Sequence, residues 1–447
     1  MSATRSLFTP SPPPLVRTAV RAASPTLPEV ERRRACRWHS HDRDAVCVRE
    51  RQRLETIQQQ CPVGFDHQRL GAGLHHHLDG PGANGGPQGI IMHDTMAFTV
   101  EGLPLGLVDI QVWARAPEHQ GKKHKRHSLP IEQKESFKWL RSFQAAARLG
   151  SQCRETTVVS VGDREADIYE LFALALSRPD HPKLLVRAES DRLVADGQEH
   201  LWQSVQSQPV AATQILSVPR NNKGPARTAT LEIRFAPVLL RPPQTKKKLG
   251  ALQLWAVLTN EIDAPEGVEP LQWMLLTTVA VNNPVQALEK LHWYTKRWGI
   301  EVYHRTIKSG CRVEERQLRS VERLENSLAI DLVVAWRILH MTMLGREAPE
   351  LDCSVIFQEH EWKALHCYVH RTRTPPHQPP TLGQVIRQVA KLGGFLGRKG
   401  DGDPGTQNLW RGLLRLDAVA SSWLAFGPEH PPDTAQATSV SSEPICG

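Results

Sequence analysis

The sequence predicts an α/β protein with a strand-rich middle and a helical C-terminal region. Three observations carry this. Pro-, Arg- and His-rich sequence gives way abruptly to apolar runs at Gly89, the period switches to two between Lys183 and Thr278, and helical spacing returns from Val285. At 447 residues the chain is too long for one ordinary core, so two or three domains are expected.

Taken in order, the stretch from Met1 to about Gly86 shows no sustained period and contains no lysine, the first being Lys122. Such composition buries little, so disorder is the simplest expectation, and an Arg- and Ser-rich start is also shared with transit peptides. Ile90 to Val100 and Leu103 to Trp113 flank Glu101-Gly102 and read as a hairpin. After a basic loop, Gly121 to His127, the stretch Ile131 to Leu149 has helical spacing. Thr157 to Val161 is a β-branched strand ending in Gly162-Asp163, and an amphipathic pattern follows from Glu165 to Leu176. Period two then dominates, with Leu231, Ile233 and Phe235 alternating with Glu232 and Arg234. From Val285 to about Arg346 the pattern is helical, with Leu324 to Met343 apolar enough for a buried helix. Pro375 to Pro380 reads as a loop. Two further helices, Thr381 to Ala390 and Leu409 to Ala425, are separated by the Gly-rich stretch Gly393 to Gly405, which lacks the spacing of a phosphate-binding loop.

A net charge of +8 favours a polyanionic partner, because neutralised phosphates release counterions. No window approaches about 18 uninterrupted apolar residues, so a cytoplasmic location without membrane partners is expected. The eight cysteines are scattered without a C-x-x-C pair, which points to reduced thiols. His75-His-His77 with His67, and Cys36, His39, His41 and Cys47, lack a convincing ligand spacing and read as incidental.

Two clusters carry chemistry. Asp163 stands where an apolar strand stops and a helix starts, a position suited either to capping or to presenting a carboxylate to a metal. In Leu291 to Lys308, the residues Tyr294, Glu301 and Lys308 recur every seventh position with Arg297 four before Glu301. On one straight helix they would share a stripe, either as a solvated face with an Arg–Glu pair or as a functional surface.

With these residues the chain resembles the bacterial cut-and-paste transposases of the insertion-sequence-four group, whose signature Y-x2-R-x3-E-x6-K is matched by Tyr294, Arg297, Glu301 and Lys308. Asp163-Arg-Glu-Ala-Asp-Ile168 resembles the second-aspartate motif of that family, and Leu409 to Leu416 its C-terminal dimerisation region. The resemblance covers roughly Gly89 to Phe426. It implies a ribonuclease H-like catalytic core with an inserted mostly-β subdomain, in which three carboxylates hold two Mg2+ or Mn2+ ions about 4 Å apart for phosphodiester hydrolysis and strand transfer. By motif, Asp163 and Glu301 are catalytic metal ligands, and Tyr294, Arg297 and Lys308 grip the DNA backbone at the transposon end. Lys246-Lys-Lys248 reads as a solvated run that can add phosphate contacts. The implied partners are double-stranded DNA at transposon ends and a second copy of the chain.

The sequence departs from the family at its first aspartate: no Asp-Thr-Thr run precedes Gly89. Asp94, within His93-Asp-Thr95, is the candidate third metal ligand, with Asp66 and Asp79 upstream. The helical DNA-end-binding domain is missing too, and a frameshift or fusion near residues 75 to 88 would account for both. The expected organisation is 1–86 disordered or non-native, 87–182 first part of the core, 183–278 β-rich insertion, 279–347 second part of the core, 348–427 dimerisation region and 428–447 disordered tail. Two other functions fit the same residues: an inactive derivative that dimerises with intact enzyme and inhibits it, and a nuclease that cuts without joining.

Overall fold

The computed structural model describes residues 64–70, 90–114, 129–153, 155–194, 199–218, 226–316, 318 and 320–427, with the backbone alone described for 64–70. The chain divides into two units, Met1–Arg337 and Ile338–Gly447.

The first unit is built on a nine-stranded mixed sheet of order β3-β2-β1-β4-β5-β9-β8-β7-β6. β1 (Gly64–Leu70) lies antiparallel to β2 (Ile90–Phe98) and parallel to β4 (Val159–Gly162). A strand therefore stands within 1–86, where composition had suggested none. β2 and β3 (Pro104–Ala114) form the expected hairpin, with Gly102 at φ 97 taking the turn conformation that a side chain would resist. β4 pairs in parallel with β5 (Lys183–Arg187). The remaining strands, β6 (Ala212–Val218), β7 (Arg227–Leu240), β8 (Leu252–Ile262) and β9 (Gln272–Thr277), pair antiparallel, and β9 closes back onto β5. The strand-rich segment is thus not a separate layer: it prolongs the sheet that carries Asp163, and β5 itself is the central junction.

Alternation explains how one sheet serves two cores. Leu184 and Val186 point to the side covered by α1 (Phe137–Gln152) and α2 (Tyr169–Leu176), joining Trp139, Phe143 and Phe172. Leu185 points to the opposite side, with Val159, Val161 and residues of α4 (Pro284–Lys296) such as Ala287 and Leu291. The long β7 uses both parities: Leu231 and Ile233 serve the α4 side, Val238 and Leu240 the α1–α2 side. A short α3 (Leu201–Gln206) also packs on the latter through Leu201 and Val205. Beyond α4 come α5 (Trp298–Arg305), a π turn over Thr306–Gly310, and α6 (Val321–Glu347). By length and composition α6 could cross a membrane, but more than half of its apolar window is buried within the protein.

The second unit holds the end of α6 with α7 (Glu359–His370), α8 (Leu382–Leu392) and α9 (Thr406–Phe426). Capping boxes start α7 (Gln358 with Glu361) and α8 (Thr381 with Gln384), each satisfying two backbone donors that a helix start leaves open. α8 and α9 touch backbone to backbone. A Cβ at Gly412 would overlap the Val389 carbonyl, and one at Gly393 the Asn408 carbonyl.

Candidate functional site

The site begins where β4 ends. Gly162 admits the chain because a Cβ there would overlap Ala166. Asp163 then leaves the strand in extended conformation and accepts a 2.8 Å hydrogen bond from the Glu165 amide, capping the 3-10 turn Arg164–Ala166. The turn is fixed from below by Asp167. Its fully buried carboxylate takes Arg192 Nη1 at 2.6 Å and the backbone amides of Glu189 and Ser190 at 2.8 and 2.9 Å. Asp167 is thus structural, whereas the partly exposed Asp163 is presented. Burial raises the Asp163 carboxyl above its ordinary range, against the opposing pull of the Glu165 amide and the nearby Arg297 charge.

Across from it stands the Tyr294–Lys308 segment. The straight stripe expected from seven-residue spacing does not form in full. α4 passes into α5 at Arg297, which keeps helical dihedrals (φ −51, ψ −29), and the π turn over Thr306–Gly310 interrupts the α spacing at Lys308. Arg297 Nη2 approaches Glu301 Oε1 at 3.3 Å, and its charge also reaches Asp163, so one guanidinium serves both predicted ligands. Tyr294 is buried, stacked obliquely against Trp273 at 5.7 Å, and hydrogen-bonded by Arg187. Lys308 lies apart from this group and pairs with Glu314 at 3.0 Å.

Arg187, at the end of β5, was not singled out from sequence. Burial lowers its pKa, and the neighbouring charges of Arg164 and Arg297 push the same way. Its only sequence signal is a basic residue closing the apolar run Leu184-Leu-Val186. The exposed Trp298 beside Arg297 was likewise passed over.

Asp94 stands elsewhere. It is fully buried in β2, with Oδ1 2.9 Å from His304 Nε2 of α5 and Oδ2 without a hydrogen-bond partner. Among the described residues no three His, Cys, Asp or Glu side chains group as a metal site, so Asp94, Asp163 and Glu301 are not brought together. Asp66 belongs to β1, where the backbone pairs it with Val161, two residues before Asp163. Asp79, His75 to His77, Cys36, His39, His41, Cys47 and the basic loop at 121–127 lie outside the described residues. In the Lys246 to Lys248 run, Lys246 is bound to Glu170. Cys153, Cys311, Cys353 and Cys367 are buried free thiols.

Residues 333–422 match the transposase Tn5 dimerisation domain. Comparison with solved structures finds the piggyBac transposase in a synaptic complex with hairpin DNA, at 10 % identity and a TM-score of 0.35 over 87 % of this chain. The chain spans 62 % of that protein's length. The domain match is to a transposase dimerisation domain and covers residues 333–422 alone.

Proposed function

We propose that the chain is a DNA transposase of an insertion sequence, with a ribonuclease H-like first unit that hydrolyses and transfers phosphodiester bonds at transposon ends and a second unit that dimerises. The observation that carries the catalytic part is the convergence of Asp163 and Glu301 on Arg297 at the carboxyl end of β4. The order β3-β2-β1-β4-β5, with β2 antiparallel to its neighbours and β1, β4 and β5 mutually parallel, agrees with that core. Burial disfavours the charged form of Asp163, which a cation would relieve, so Asp163 and Glu301 fit an Mg2+ or Mn2+ ion. Asp94 does not fit, because His304 holds it in the interior. The backbone register of β1 sets Asp66 beside Val161 of β4, so the test below includes it as the candidate third ligand. When bound, the ions polarise the scissile phosphodiester and acidify the attacking water. The protein's own part is to hold phosphates with Arg187 and Arg297, the guanidinium fork suiting a phosphate's paired oxygens, while Trp298 offers a face on which an unpaired base can stack.

The test is Mn2+- or Mg2+-dependent cleavage of duplexes spanning the flanks of the coding sequence. Asp163→Asn, Glu301→Gln and Asp66→Asn should each lose at least about 100-fold in rate, several kcal/mol of charge stabilisation being at stake, while Asp94→Asn keeps cutting. A second reading has its own support: among the described residues no three His, Cys, Asp or Glu side chains gather as a metal site, and Arg297 links only Asp163 and Glu301 of the predicted ligands. Under it the purified chain dimerises, cuts nothing, and inhibits an intact enzyme in trans. Cleavage without 3′-end joining would instead favour a nuclease.

A further inference from the structure

The second unit holds a pair of histidines that the transposase reading does not use. His366 and His370 lie four residues apart on α7, and 3.6 residues per turn bring them to one face. Their ring centroids are 4.3 Å apart with planes tilted by 36°. From α8, Gln388 places its amide nitrogen 3.3 Å from His370 Nε2. An amide nitrogen only donates, so in this orientation His370 Nε2 carries a lone pair; with the amide reversed, the Gln388 oxygen takes that place, and amide orientation is an assignment. Either way the junction offers two imidazoles and an amide that can turn an oxygen inwards. The scaffold is firm: α7 is fixed by its capping box, and α8 is pressed backbone to backbone against α9.

We infer that His366, His370 and Gln388 bind a borderline divalent transition-metal ion, Zn2+ or Cu2+, which pins α7 to α8. Imidazole nitrogen selects these ions, whereas Mg2+ asks for oxygen ligands, so this site is chemically distinct from the Asp163–Glu301 pair. Two imidazoles and one amide leave positions for water, so the ion exchanges rather than being required for folding. The test uses the full chain stripped by chelator and titrated with ZnCl2 or CuCl2. At ten times the dissociation constant the melting temperature of the wild type should rise by roughly 3–6 °C. His366→Ala and His370→Ala should each abolish the rise while matching the wild-type melt in chelator, and Gln388→Ala should reduce it. The wild type should also add a Cu2+ electron-paramagnetic signal with two imidazole nitrogens that the double variant lacks. A shift that survives in the His366→Ala/His370→Ala double variant overturns the proposal, as does a copper signal identical in the two proteins.

Discussion

The least obvious residue is Asp331, whose carboxylate is met by Arg316 Nη2 at 2.7 Å but whose other oxygen is buried without a hydrogen-bond partner. Burial pushes its pKa up to about 6, with the Arg316 charge offsetting only part of the cost. Unfolded, the same carboxyl ionises near ~3.9. A group whose folded pKa is raised stabilises the fold fully below the unfolded value and loses that contribution as pH climbs through the folded one. Relative to Asp331→Asn, the wild type should therefore lose about 2–3 kcal/mol between pH 4 and 6.5 in urea denaturation. An unchanged difference across that window would refute the assignment. At this scale the sequence was legible where pattern and chemistry coincide. Asp163 stood out because it ends an apolar strand after a glycine, and the structure gives it the capping role that the sequence also offered. The burial of Asp94 was not legible because β2 is buried along its whole length, so no alternation marks its carboxylate as internal. Arg187 needed the β5–β9 pairing, which brings Gln272 to it, and no local signal encodes that contact.

Among the elements, the close crossing of α8 and α9 depends on two glycines rather than on side-chain fit. Gly412→Ala forces a methyl into the Val389 carbonyl, and a backbone neighbour cannot step aside as a side chain would. Its cost should reach about 3 kcal/mol, at the upper end of overpacking, read as a lower urea midpoint of the second unit. Exposed Gly405→Ala, at a negative φ with open space around it, is the control. Hairpin, strand–turn–helix and period-two segments were read from sequence because alternation and turn residues are local. The single stripe from Tyr294 to Lys308 was not realised in full, since spacing presumes uniform α geometry and the π turn that holds Lys308 has no proline to announce it. The reading also missed α7, whose buried Trp362, Ala364, Leu365 and Cys367 are interrupted by polar residues. Its Gln358–Glu361 capping box was the available clue.

For the whole molecule, the match at residues 333–422 and the exposure of Leu414 and Phe426 on α9 point to self-association through the second unit. Leu414→Asp should shift the full chain from dimer to monomer in light scattering without altering its circular dichroism, because Leu414 is 60 % exposed and contributes little to its own fold. An unchanged dimer mass would place the interface elsewhere. The sequence resemblance expected an inserted β subdomain, and the continuous nine-stranded sheet shows why its edges were hard to draw. Residues 185–187 and 275–277 pair across some ninety intervening positions, and such long-range closure leaves no trace in local periodicity.

The position of β1 has a consequence for any shortened version of the chain. Within the sheet it is the strand that lies between the β2–β3 hairpin and β4, pairing with β2 antiparallel and with β4 parallel. A polypeptide initiated after residue 70 would keep every residue of the Asp163–Arg297–Glu301 group, yet it would expose unpaired strand edges on the nine-residue β2 and the short β4, both apolar. Such edges recruit strands from other molecules, so the fate of that product is decided by insolubility before its chemistry can matter.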